Sequence, residues 1–221
     1  MKGIIFSFKR SSAARAHKKI QLPDVRSVFR RWGITLLFVS LLLVGLALGA
    51  VYAQGADSEL LQALDFLFTT NLAARLQKGA PGIFCACFAS DFIFVTAVYL
   101  FGMAPWGLPF ELFTVLLKGF GTGLTAAYLL LMNGLSGLGF YLLVLLPGTF
   151  LFCVALTAFS AFAFDFSRQQ FLFLFEKNPP AVCARERILR YSSRFLSALL
   201  MTFGASILDT VLWTLFAGTF Q

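Results

Sequence analysis

The chain has 221 residues, of which 59% are hydrophobic and only 13% charged, with a mean hydropathy of +0.83. Soluble domains carry about 25% charged residues, so the composition excludes an ordinary water-soluble globule and points to an integral membrane protein. The net charge of +8 is not a nucleic-acid signal: nine of the 18 Lys and Arg residues, against one acid, lie in residues 1–31, and the rest of the chain is neutral.

Residues 1–31 carry no sustained apolar period, and no aromatic interleaving or folded motif accompanies their charge. They read as a basic cytoplasmic tail held at anionic lipid head groups beside the first hydrophobic span. Residues 32–221 read as the membrane domain. Its first helix runs from Trp32 to Ala53, with Gly45 and Gly49 four apart on one face. The apolar run is too long and the basic region too extended for a cleaved signal peptide, so an uncleaved signal-anchor is expected.

Residues 54–82 differ in character. Leu61, Leu64, Phe68, Leu72 and Leu76 recur at helical spacing among Glu59, Gln62, Asp65, Arg75 and Lys78. The pattern predicts an amphipathic helix lying in the membrane interface, ended by Pro81-Gly82. Its apolar face, with Leu64, Phe68 and Leu72, either lies in the head groups or offers a docking surface for a partner.

The second span is expected over 83–104, interrupted only by Asp91, and Pro105-Trp106-Gly107-Leu108-Pro109 forms a tight turn. From Gly119 to Phe164 no residue carries a formal charge. At about 1.5 Å per residue this stretch is too long for one crossing of a bilayer core of roughly 30 Å. It must fold back, and Asn133-Gly134 supplies residues that tolerate the left-handed backbone of a tight turn. Spans over 108–132 and 137–164 follow. Pro147 bends the latter and frees a backbone carbonyl. A polar loop over 165–194 contains Pro179-Pro180 and a short surface helix from Glu186 to Phe195; the last span covers 195–217 and carries Asp209. The expected fold is an all-α bundle of five transmembrane helices with the interfacial helix between the first two. Fifteen Lys and Arg on the side of the tail against two on the other place the amino terminus in the cytoplasm and the carboxyl terminus outside.

Ionisable residues inside spans are expensive and mark pairs or pathways. Counting about 1.5 Å per residue puts Lys118 roughly 15 Å deep and Asp91 and Asp209 roughly 20 Å deep. The sequence therefore predicts a buried pair between Lys118 and Asp91, with Asp209 as competing partner, either fixing helix register or serving an ion or proton path. Glu111 lies on the face of Lys118 but near enough to the interface to be solvated. Gly45, Gly49, Gly119 and Gly123 strip side chains from helix faces and predict close packing, within the bundle or between copies of the chain. The 28 Phe residues are expected mainly as lipid-facing bulk.

Enzyme chemistry finds no residues here. The single histidine, His17, lies in the tail, so no triad or histidine cluster exists. Cys85 and Cys87 point about 160° apart on a helix, poor geometry for a shared metal, and with Cys153 and Cys183 they read as reduced structural thiols. No cofactor is expected.

A family resemblance lies in the central region: Gly107-Leu108-Pro109, Leu117-Lys118-Gly119 with Gly123, Gly134 and Gly139, Leu145-Leu146-Pro147, and the small residues Ala158 and Ala161. With Gly45 and Gly49 before it and Ser167-Arg168-Gln169-Gln170-Phe171 after it, this pattern resembles the stage II sporulation protein M family over about residues 33–215. The resemblance implies a non-enzymatic, multi-pass membrane scaffold of spore-forming bacteria. Its partners would be cell-wall hydrolases, stage II sporulation proteins D and P, in a complex that thins septal peptidoglycan and drives forespore engulfment. The competing reading is a membrane component of a transporter or permease, since broken helices and intramembrane charges serve transport too.

Overall fold

The computed structural model describes residues 25–55, 79–175 and 184–216. All regular structure among these residues is helical: α1 (Val25–Gly55), α2 (Ala80–Met103), α3 (Leu108–Phe140), a π-helical turn (Tyr141–Leu145), α4 (Leu146–Phe175) and α5 (Ala184–Phe216). Four helical stretches are long and apolar enough to cross a membrane: Trp32–Gly55, Ala80–Met103, Leu108–Phe173 and Arg185–Phe216. The basic tail up to residue 24 and most of the expected amphipathic helix, with Leu64, Phe68 and Leu72, lie outside the described residues.

The boundaries follow from local chemistry. Pro81 sits in the first turn of α2, where its missing N–H removes no intrahelical bond. The Gly79 carbonyl accepts from the N–H groups of Gly82 and Ile83 at 2.9 and 3.2 Å. Between α2 and α3, Ala104 N–H donates to Phe101 O at 2.9 Å and Gly107 N–H to Ala104 O at 3.0 Å. A side chain at Gly107 would strike the Phe101 carbonyl, so this turn demands glycine.

The 66-residue stretch from Leu108 to Phe173 is not a rod. Gly134 has φ 59° and ψ −139°, a backbone that L side chains rarely adopt. A methyl group on Gly137 would collide with the Leu129 carbonyl, although a straight helix would hold these residues about 12 Å apart. The chain therefore doubles back here, which brings Tyr141, Leu145 and Thr149 alongside Gly121, Thr122 and Thr125.

The π turn just before Pro147 has a steric cause. A proline ring clashes with the carbonyl four residues earlier and cannot donate to it. Widening the preceding turn relieves both problems, and Leu146 N–H reaches Tyr141 O instead.

One expectation needs correction. The surface helix from Glu186 and the last span form one unbroken helix, α5. No proline or glycine lies between Ala184 and Phe203 to part them, and Tyr191, fully buried, ties the early turns into the bundle. The phenylalanines serve both the core and the outer surface of the bundle. Phe38, Phe94, Phe152, Phe159 and Phe166 fill the main core with Val95, Val98 and Val115, while Phe92, Phe110, Phe113, Phe150 and Phe203 are exposed. Each aromatic takes the face its helical position dictates. A second apolar cluster at the other end of the bundle joins Ile83, Cys87, Leu129, Tyr141, Val144 and Trp213.

Candidate functional site

The most distinctive chemistry lies where α2, α3, α4 and α5 meet. Lys118 Nζ of α3 stands 2.7 Å from Asp91 Oδ1 of α2, with both side chains about nine-tenths buried. The ammonium also lies over two aromatic faces, 4.7 Å from the Phe152 ring centre and 5.1 Å from that of Phe94. Asp91 and Phe94 are three residues apart on α2, hence on one face, so one helix supplies both a counter-ion and a ring. Such contacts are worth about 2 kcal/mol when desolvated. The cage accounts for how an ammonium is held at 8% exposure.

Asp209 of α5 is equally buried and lines the same cavity as Asp91 and Lys118. Its carboxylate occupies the space that a side chain at Gly148 of α4 would fill. Gly148, directly after Pro147, is what lets α5 bring an acid to this point. The cavity has a volume of about 40 Å³, and the hydroxyl-bearing residues Ser90, Thr122, Thr125 and Thr149 complete its polar wall. A water needs roughly 10–15 Å³ on this measure, so the space suits a few waters or one small ion, not an organic solute.

Beside this centre runs a backbone seam between α1 and α3. A methyl group at Gly45 would strike the Leu116 carbonyl and one at Gly49 the Phe120 carbonyl; from the other side, Gly119 faces the Leu42 carbonyl and Gly123 that of Leu46. The two Gly-xxx-Gly pairs thus interlock within one chain, each giving room to the other helix's backbone. Contacts this close let Cα–H groups meet carbonyl oxygens and pack helices without polar side chains.

At the far end of the bundle Tyr191 of α5 is fully buried. Its hydroxyl donates to Tyr99 O at 3.0 Å and Val98 O at 3.3 Å, and its ring stacks on Phe166 at 4.4 Å. Ser167 donates to the Ala104 carbonyl at 2.7 Å. Glu111 lies near Tyr191 and has no exposed surface, with neither carboxyl oxygen hydrogen-bonded among the described residues. The expectation that it is solvated is therefore overturned. Sharing the inward face of Lys118 turned it into the bundle, and the early turns of α5 close over that end.

Cys85 is exposed, Cys87 buried and Cys153 half-buried, all as free thiols. Among the described residues no group of three or more His, Cys, Asp or Glu is placed to hold a metal. Sequence reasoning did not single out Gly148, Phe94 or Phe152. The Pro147-Gly148 step was a usable signal for the first; the two rings were hidden among 28 phenylalanines. Compared with known families, curated proteins and solved structures, the chain matches none.

Proposed function

We propose that the chain is a non-enzymatic scaffold of the cell membrane that resembles stage II sporulation protein M. In this reading it recruits or anchors cell-wall hydrolases for septal peptidoglycan remodelling and forespore engulfment. The observation that carries the reading is where the residues of the resemblance fall. Lys118 holds the buried pair, Gly119 and Gly123 line the seam with α1, Gly134 turns the backbone, Pro147 follows the π turn and Ser167 caps the Ala104 carbonyl. Each does a packing or register job, as a platform for partners requires.

The topology proposed with it has five crossings. A helical stretch of 66 residues would span about 99 Å, roughly three bilayer cores, so its reversal at Gly134 makes two crossings of it. Lys and Arg counts place the amino terminus and its basic tail at the cytoplasmic leaflet and the carboxyl terminus outside. The segment between α1 and α2 would then form an external interfacial helix, with Leu64, Phe68 and Leu72 as the docking face.

The test is a mild-detergent pull-down of the tagged full chain from cells entering sporulation, compared with Phe68→Ser/Leu72→Ser. Recovery of a wall amidase or transglycosylase with the unaltered chain, lost in the variant, supports the scaffold. The polar cavity favours one second reading, a transporter component. Recovery of an ATPase without any wall hydrolase would overturn the scaffold in its favour.

A further inference from the structure

We infer that the groove between α4 and α5 is a binding site for one anionic phospholipid, its phosphate at Arg187 and an acyl chain running inward past Arg194. The sequence spacing sets the groove up. Arg187, Arg190 and Arg194 stand at i, i+3 and i+7 on α5, hence on one helix face, and Met201 continues that face deeper into the span. On α4, Ala158, Phe162, Asp165 and Gln169 form the facing row. The space between the rows is divided. An outer, polar cavity of about 180 Å³ is lined by Asp165, Gln169, Arg187 and Arg190. An inner cavity of about 340 Å³ is walled by Val154, Ala158, Ala198 and Met201, with Arg194. Phe162 lines both, so the two cavities meet at its ring.

The outer end has donors with places to fill. Glu186 answers Arg190 at 3.4 Å, and Asp165 has Arg168 as its electrostatic neighbour one turn along α4. Arg187 and Arg194 are held by rings instead. Arg187 Cζ lies 4.4 Å from the Phe173 ring centre and 5.8 Å from that of Phe166, and Arg194 Cζ lies 5.5 Å from that of Phe162. Phe162 and Phe166 both stack on Tyr191, at 6.2 and 4.4 Å, so one aromatic layer brings the two guanidinium groups to the same end of the groove. Neither has a carboxylate partner among the described residues, and Arg187 Nε is buried without an acceptor among them. A guanidinium stacked on a ring keeps its planar donor edge, and phosphate oxygens are the acceptors which that fork matches.

The dimensions fit a lipid better than a free anion. Arg187 to Met201 covers about 21 Å of α5 at about 1.5 Å per residue, close to one leaflet with its head groups, roughly 20–22 Å. The inner cavity, at about 340 Å³, lies within the range of about 300–1,000 Å³ typical of ligand sites. Beyond Arg194 its wall carries no further charge, so it suits a hydrocarbon chain. The topology proposed above puts this end at the cytoplasmic leaflet, where anionic lipids collect. The bound lipid ties α4 to α5 by its chain and its phosphate. This holds whether or not the chain recruits wall hydrolases.

The experiment uses the purified full chain in micelles of a neutral detergent. Thermal unfolding is followed while phosphatidylglycerol, or phosphatidylcholine with the same acyl chains, is titrated in at fixed salt. The expected result is a saturable rise in melting temperature with phosphatidylglycerol, its midpoint at least tenfold below that for phosphatidylcholine. Arg187→Gln moves the phosphatidylglycerol midpoint at least tenfold higher. Arg185→Gln, which removes the same charge from α5 outside the groove lining, leaves it unchanged. Ala158→Phe, which fills the inner cavity and keeps every charge, also raises the midpoint at least tenfold. Should Arg187→Gln fail to fold, Ala158→Phe alone carries the decision. Equal midpoints for the two lipids overturn the site, as does a full response in Ala158→Phe. A full response in Arg187→Gln overturns it too, because the basic tail would then be what holds the lipid. So does the same rise with inorganic phosphate and no lipid, because a free anion would then be the ligand.

Discussion

Gly119 of α3 lies directly against the Leu42 carbonyl of α1, and four residues on Gly123 repeats the contact with Leu46. The obstacle at each position is backbone, which cannot swing aside as a side-chain tip can. Gly119→Val, Gly123→Val and Gly49→Val should therefore force α1 and α3 apart, each losing about 3 kcal/mol, the upper end of overpacking effects. Gly33→Val, with nothing within 4 Å, serves as the control and should be near neutral. Unfolding in mixed micelles titrated with a denaturing detergent reads the difference. Equal losses at Gly33 and Gly123 would show that helix propensity, not the seam, sets the effect.

The buried pair predicts an asymmetry. Lys118→Met leaves Asp91 and Asp209 facing one cavity without their shared cation, so it should lose about 3–5 kcal/mol, as removal of one partner of a buried pair does. Asp91→Asn leaves Lys118 beside Asp209 and two aromatic rings, and should lose less than half as much. Adding Asp209→Asn to Asp91→Asn strips the ammonium of both acids and should restore the full loss. The same detergent titration ranks the three variants. A double change no worse than Asp91→Asn alone would remove Asp209 from the account.

Much of this arrangement was open to sequence reasoning, for identifiable reasons. Charges in apolar spans stand out, and equal counting from one side put Lys118, Asp91 and Asp209 at similar depths. Paired glycines four apart marked helix faces meant for close approach, and Asn133-Gly134 marked the backbone break. What could not be read is rotation about each helix axis. Depth says nothing of whether Glu111 points to lipid, water or core, and its full burial came from α5 packing over it. Nor does spacing tell which glycine pair meets which. The seam between α1 and α3 and the Gly148–Asp209 contact are relations between residues far apart in the chain, settled only when all helices pack together.

Gly148 and Asp209 should be coupled energetically. The atom in the way of a methyl group at Gly148 is a carboxylate end, which can turn, so Gly148→Ala should lose only about 1–2 kcal/mol. In the Asp209→Ala background the obstacle is gone and the same change should be neutral. A coupling energy of about 1 kcal/mol or more is expected from the double-mutant cycle. Additive losses would mean that the two residues do not meet.

Tyr191 combines ring stacking with a hydroxyl shared between two carbonyls of α2. Tyr191→Phe keeps the stack on Phe166 and Tyr99 and removes only the hydrogen bonds, for a loss of about 0.5–1.5 kcal/mol. Tyr191→Ala also opens a large cavity and should lose about 3–5 kcal/mol. If both variants lose alike, the hydroxyl rather than the ring anchors the first turns of α5.

Glu111 tests whether full burial of a carboxyl is a burden or a function. Its oxygens have no hydrogen-bond partner among the described residues, and burying an unpaired polar group costs about 1–3 kcal/mol by protein mutational data. Its place in the first turn of α3 offsets part of this through the helix dipole, by about 0.3–1 kcal/mol. Glu111→Met fills a similar volume without the polar atoms, so it should raise stability by about 1 kcal/mol or more. Glu111→Gln, which keeps an unpaired amide, should give no such gain. A stabilised Glu111→Met chain that no longer supports partner recovery would identify the buried acid as retained for activity against its own energetic cost. A destabilised one would mean that the carboxyl is satisfied by a group beyond the described residues.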